Sequence, residues 1–277
     1  MELGVRSVGF KLSKAMGQNF LIDRNIPEKI VRLSGINESC GVLEIGPGTG
    51  ALTLELSGVA GHVIAVELDR RLIPILEENL AGRQNVDIIQ GDILKLDIKR
   101  LINEKMPGFR HLVCANLPYN ITTPILSALI DADAFESVIV MVQREVARRI
   151  CARPGSSDYS AFSVYVNYHA EVRILFDVPP ECFMPRPKVF SSVVLIDLRS
   201  ERLLVPEDEA LLFRIVRAAF GQRRKTLVNA LFSAFGSVLS KVDIAGFVEK
   251  CGFDSQVRGE TLGLDDFVKL SEYFQNR

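Results

Sequence analysis

Along the first two thirds of the chain, short β-branched runs alternate with stretches whose apolar residues recur at helical spacing. GVLEI (41–45), HVIAVEL (62–68), VDIIQGD (86–92), HLVCAN (111–116) and SVIVMVQ (137–143) read as strands. Between them, ALTLELS (51–57), RRLIPILEENL (70–80) and TPILSALI (123–130) read as helices. This alternation predicts a mainly parallel sheet with helices on both faces. AEVRILFDV (170–178) and SSVVLIDLR (191–199) are two further strands joined by a Pro-rich loop. With no helix between them, at least one is expected to run antiparallel to the rest. From about residue 206 the pattern is helical, as in DEALLFRIVRAAF and TLVNALFSAF. The expected organisation is an α/β domain over 1–199 and a small helical domain over 206–277, with a linker near Ser200–Val205.

Composition narrows the class. A chain of 277 residues with 48% hydrophobic and 24% charged residues can bury a sizeable core and reads as an ordinary globular enzyme. No apolar stretch approaches the ~20 residues of a membrane helix. The opening MELGVRSVGFKLSKAMGQNF lacks the apolar core and cleavage site of a signal peptide. Five cysteines, odd in number, far apart and without a C-x-x-C pair, point to reduced thiols in the cytoplasm and to neither a disulfide frame nor a zinc site. His62, His111 and His169 are isolated, so no metal-ligand spacing is present. The formal net charge of −1 rules out a bulk polycation, and any nucleic-acid surface must be a local patch.

The chemistry concentrates at strand ends. LEIGPGTG (43–50) runs a strand into Gly46, Gly48 and Gly50, then into a helix. Glycines there allow a tight turn and close approach of a ligand to a helix N-terminus. The spacing is neither the dinucleotide G-x-G-x-x-G nor a P-loop. Glu67 ends the second strand, where a carboxylate can accept from both ribose hydroxyls, and Asp92 ends the third, where one can accept from an adenine amino group. Either acid alone reads equally as a solvated strand-end cap. In a parallel sheet all of these strand ends share one edge, and together they look like the S-adenosylmethionine site of the class I methyltransferases, with their Rossmann-like fold.

NLPY (116–119) ends the fourth strand of that arrangement without any titratable catalyst. An adenine amino group is a poor nucleophile because its lone pair is delocalised into the ring. Two acceptors that hold its N–H bonds would turn that lone pair out of plane. Asn116 offers its side-chain oxygen. Leu117 offers a backbone carbonyl, held extended by Pro118, which brings no N–H of its own. Tyr119 offers a flat face for stacking. Alignment and desolvation then supply the catalysis, and no strong base is needed.

With these motifs assembled, the chain resembles the KsgA/RsmA ribosomal RNA adenine N6-dimethyltransferases over nearly its whole length. The resemblance rests on GQNFL (17–21), LEIGPGTGALT (43–53), VELD (66–69), GDIL (91–94), NLPYNITTPIL (116–126), QREVARRI (143–150), FMPRPKV (183–189) and FGQRRKTL (220–227). It implies that Asn19, Leu21, Gly46, Gly48, Glu67, Asp92 and Asn116 contact S-adenosylmethionine. It also implies dimethylation of two adjacent adenosines near the 3′ end of small-subunit ribosomal RNA, by a monomer with no membrane association. Two rivals remain: a large-subunit rRNA adenine methyltransferase of the antibiotic-resistance type, and a non-catalytic ribosome-assembly factor that kept the fold.

Three basic clusters meet the local-patch requirement: Arg144/Arg148/Arg149/Arg153, Arg186/Lys188, and Arg223/Arg224/Lys225. Arg144 and Arg148 share a helix face at i, i+4. Arg148, Arg223, Arg224 and Lys225 are the expected phosphate contacts, and Phe183 the expected second stacking face for a flipped base. Val228 stands where relatives often carry arginine, which would trim one phosphate contact.

Overall fold

A computed structural model describes residues 19–201 and 208–275. In chain order the described elements are β1 (Phe20–Leu21), α1 (Asn25–Ser34), β2 (Cys40–Ile45), α2 (Ala51–Ser57), β3 (His62–Glu67), α3 (Ile73–Asn79), β4 (Val86–Gln90), α4 (Ile98–Lys105), β5 (Arg110–Asn116), α5 (Thr122–Asp131), β6 (Ser137–Gln143), α6 (Arg144–Ile150), α7 (Ala161–His169), β7 (Ala170–Val178), β8 (Phe183–Met184) and β9 (Ser191–Leu198). Four helices follow: α8 (Glu209–Gly221), α9 (Leu227–Phe235), α10 (Lys241–Lys250) and α11 (Leu264–Gln275). Among the described residues no helix is long and apolar enough to cross a membrane.

Seven strands form one sheet in the order β4-β3-β2-β5-β6-β9-β7. The run from β4 to β6 is parallel, and β9 returns antiparallel against β6, with Gln143 opposite Ser191. The expected antiparallel strand is therefore β9. Every residue of β2 is buried, as are all but the last of β6, which is why these strands read as continuous apolar runs. One core cluster joins α1 and α2 to the sheet through Ile30, Val42, Leu52, Leu56, Cys114, Met141 and Val193. The strand order reverses between β2, which leads to β3 and β4, and β5, which leads to β6. Just outside the carboxyl ends of β2 and β5 lies the crevice that such a reversal opens.

The chain separates into two compact units. One holds the chain up to Ala147 together with Val172–Leu198; the other holds Arg148–Glu171 and the chain from Arg199 onward. The second unit thus takes in α7, which the single expected boundary near residue 200 leaves with the sheet. The reason is packing: Tyr159, Val164 and Tyr168 share a core with Leu212, Ile215, Leu231 and Phe267. The Tyr159 hydroxyl donates to the Leu262 carbonyl (3.0 Å), and Ser160 and Ser163 form a capping box that starts α7. Of the expected linker, Ser200 and Glu201 are described and the remainder lies outside the described residues.

Candidate functional site

The glycine loop turns at the end of β2 with Gly46, Gly48 and Gly50 all at positive φ. Gly48 shows why the residue type matters. Its φ is +62°, and a Cβ there would lie 2.9 Å from the Phe20 ring, so only glycine lets β1 close over the loop. The loop is held from below by Glu67. Oε2 of Glu67 accepts from the Gly48 N–H (3.0 Å) and Oε1 accepts from the Asp69 N–H (2.8 Å). Asp69 is itself gripped by Arg71, whose Nε and guanidinium NH₂ donate at 2.9 and 2.7 Å. Burial raises the pKa of the Glu67 carboxyl, and the backbone donors of Asp69, Gly48 and Leu68 oppose that rise.

The glycine loop and Glu67 line a cavity of ≈ 350 Å³ whose wall also includes Asn19, Leu21, Asp92, Asn116 and Tyr119. Every residue expected to meet the methyl donor (Asn19, Leu21, Gly46, Gly48, Glu67, Asp92 and Asn116) is on that wall. Asp92 also caps the turn that follows β4: its Oδ1 accepts from the Leu94 N–H (3.1 Å), and Lys95 lies 3.5 Å from Oδ2. It is at once a strand-end cap and part of the cavity lining.

Asn116, at the end of β5, is oriented by an unambiguous contact. Its Nδ2 donates to the backbone carbonyl of Asn19 (3.0 Å), an atom that can only accept. The amide is therefore fixed with Oδ1 as its remaining acceptor. Leu117 is buried, its N–H donates to the Met141 carbonyl (3.1 Å), and no described residue donates to its own carbonyl. The Pro118 carbonyl is occupied, accepting from the Ile121 N–H (3.3 Å) and Thr122 Oγ1 (3.0 Å). Of the Leu117 and Pro118 carbonyls, that of Leu117 is the one left to serve a ligand.

Sequence reasoning passed over three groups. Glu44, two residues ahead of Gly46, is 1% exposed and lines the cavity. Burial first, then the neighbouring charge of Glu67, pushes its carboxyl up to about 8; the adjacent Thr53 hydroxyl offsets part of this. Even so, neither Glu44 Oε2 nor Thr53 Oγ1 completes a hydrogen bond of ordinary geometry. An acid inside an otherwise apolar strand, GVLEI, was the available signal. The Asp69–Arg71 grip was legible as an acid and a base two residues apart in ELDRR. Ser191, which meets the Tyr119 hydroxyl at 2.5 Å, carried no local signal, since the two are 72 residues apart.

The structure corrects two expectations about the RNA surface. Phe183 is 2% exposed and belongs to the core around α1 and β2, so it presents no ring face to a base. Val228 is 6% exposed in the helical core, where an arginine would be buried. Arg148, Arg224 and Lys225 are exposed. Arg223 is exposed too, and it donates to Glu260 (3.3 Å) and to the Ser157 carbonyl (3.1 Å).

A mainly parallel sheet with one antiparallel strand, a glycine loop after β2 and acids closing β3 and β4 define a class I S-adenosylmethionine-dependent methyltransferase. Comparison with known proteins agrees and narrows it. Residues 9–274 match the ribosomal RNA adenine dimethylase family, and the chain belongs to that family. It is 46% identical over 270 residues, covering 97% of this chain and 93% of the relative, to the ribosomal RNA small subunit methyltransferase A of Lachnoclostridium phytofermentans. Its structure is similar to a dimethyladenosine transferase from Plasmodium falciparum, with a TM-score of 0.80, 27% identity and coverage of 93% and 98%. It is also similar to the 23S rRNA methyltransferase ErmE, with a TM-score of 0.70, 25% identity and coverage of 93% and 100%.

Proposed function

We propose that the protein transfers methyl groups from S-adenosylmethionine to N6 of two adjacent adenosines near the 3′ end of small-subunit ribosomal RNA, acting as a monomer on the assembling subunit in the cytoplasm. The observation that carries this reading is the Asn116 amide, anchored through Nδ2 and left with one free acceptor at the wall of a cavity that also holds Glu67. The small-subunit target rests on the likeness to the Lachnoclostridium phytofermentans enzyme, which exceeds that to ErmE in identity. Five free cysteines suit a reducing compartment.

The cavity suits the methyl donor. Each Glu67 oxygen spends one lone pair on a backbone N–H and keeps another for a ribose hydroxyl. The glycine loop lets backbone approach the ligand without a Cβ in the way. When bound, S-adenosylmethionine supplies a methyl group on a sulfonium, already a good leaving group. The chain's own work is then alignment. Asn116 Oδ1 and the Leu117 carbonyl accept the two N–H bonds of the adenine amino group and leave its lone pair facing the donor. Tyr119 supports the base plane, and the apolar lining from Leu117, Ile121 and Ile125 excludes water. The proton released on methylation comes from an acidic ammonium, so the lack of a base in the turn is consistent with the chemistry. Arg148, Arg223, Arg224 and Lys225, all exposed, contribute phosphate contacts.

The test is to supply tritiated S-adenosylmethionine to unmodified small subunits and, separately, to large-subunit RNA. Label on adjacent adenosines near the small-subunit 3′ end is the expected result. Label on the large-subunit RNA alone would favour the resistance-type reading, and no label on either would favour a non-catalytic assembly role.

A further inference from the structure

Tyr119 is held at both ends. Its backbone follows Pro118 in the turn between β5 and α5, and its hydroxyl lies 2.5 Å from Ser191 Oγ. Ser191 is 0% exposed and is the first residue of β9. Its place is set by the sheet: Gln143 of β6 stands opposite it, and the Arg144 N–H donates to the Phe190 carbonyl (2.9 Å) just before it. A tyrosine side chain has two soft torsions: a tether at the phenol fixes χ1, which swings the ring, and the in-plane preference of the phenolic O–H biases χ2, whose axis passes through the hydroxyl oxygen. Burial also raises the Tyr119 pKa, so the phenol stays protonated and able to share the hydrogen bond.

We infer that Ser191 is a positioning residue for methyl transfer, its hydroxyl fixing the position of the Tyr119 ring on which the target base rests. The inference depends on Tyr119 being the stacking surface proposed above. With its hydroxyl engaged by Ser191, Tyr119 offers the base a flat face. Two acceptors at Asn116 and Leu117 can hold the amino group correctly only if the base plane arrives at a fixed angle. A displacement of ~1 Å at a reacting centre can cost about a hundredfold in rate.

The test is a double-mutant cycle with Ser191→Ala and Tyr119→Phe, read as single-turnover methyl transfer to unmodified small subunits. Each single variant is expected to lose about fivefold to tenfold in rate, with S-adenosylmethionine affinity by calorimetry and RNA affinity by filter binding unchanged. The double variant should be no slower than the worse single one, because both changes remove the same hydrogen bond. Wild-type rates in Ser191→Ala, or losses that multiply in the double variant, would overturn the inference. Should Ser191→Ala fail to fold, Tyr119→Phe deletes the tether from the other side, and a wild-type rate there is equally fatal. Tyr119→Ala separates the two levels. If it is slow while Tyr119→Phe is fully active, the tether fails and the stacking reading stands; if it is fully active, both fail.

Discussion

Replacing Glu44 by glutamine keeps the size of the side chain and removes its titration. Glu44 is 1% exposed, and its carboxyl is pushed from an ordinary 4.5 up to about 8, chiefly by burial. Between those two values the folded protein holds a proton that the unfolded chain has released. Stability should therefore fall as pH rises through that window, the reverse of the usual salt-bridged carboxylate, and level off above about pH 8. Within the window each pH unit weakens the fold by about 1.4 kcal/mol. From about pH 5 to about pH 8 the wild type should lose roughly 3 kcal/mol relative to Glu44→Gln. The absolute offset between the two proteins is a poorer observable, since the glutamine amide also lacks hydrogen-bond partners. The slope of the difference isolates the acid, because the remaining titrating groups are common to both chains. Urea unfolding of each protein without methyl donor, at several pH values across that range, measures it. A difference that stays constant within about 0.5 kcal/mol would mean that Glu44 is ionised in the folded protein, and the reasoning would fail.

Asn116→Ala should lower methyl transfer by well over tenfold at saturating substrates while RNA affinity holds; turnover above about a tenth of wild type, a loss of only ~1.4 kcal/mol, would contradict the orienting role. In Glu67→Gln one oxygen becomes an NH₂ facing a backbone N–H donor, so calorimetry should show S-adenosylmethionine binding weakened by about tenfold or more, and unchanged affinity would reduce Glu67 to a strand-end cap. Gly48→Ala places a Cβ 2.9 Å from the Phe20 ring at a φ of +62° and should weaken donor binding and lower the melting temperature together. Replacing Arg224 and Lys225 by glutamine should flatten the slope of log RNA affinity against log salt by roughly 0.7–0.9 per lost contact, and superimposable slopes would make that cluster a solvated face.

Legibility followed the range of the cause. β2, β3, β5 and β6 were readable because burial on both faces forces unbroken apolar runs, and the acids at strand ends were readable because a parallel sheet gathers those ends on one edge. Helix α7 was passed over because AFSVYVNYH is rich in β-branched and aromatic residues; the capping box at Ser160 and Ser163 and the core with Leu212 override that propensity. Helices α1 and α4 were passed over despite local signals, Pro27 in the first turn of one and, in the other, the Asp97 N-cap, whose carboxylate accepts from the Arg100 N–H. Phe183 was misread because a phenylalanine in a Pro-rich loop looks free until the strand it pairs with is known, and Leu21 lies opposite it, far back in the chain.

The two-residue ribbon of Phe20–Leu21 against Phe183–Met184 has a consequence for the order of assembly. During synthesis the glycine loop, Glu67, Asp92 and Asn116 all leave the ribosome before residue 183 does. Until that later segment arrives, Phe20 has no strand partner to seat it against Gly48, and the Asn19 carbonyl that aligns the Asn116 amide has no fixed address. Closing so long a loop is entropically uphill and is completed late. A nascent chain can therefore hold every donor-facing acid and still lack a donor site. Occupancy by S-adenosylmethionine then favours the closed ribbon by mass action, so the small molecule acts as a clasp that holds β1 against β8.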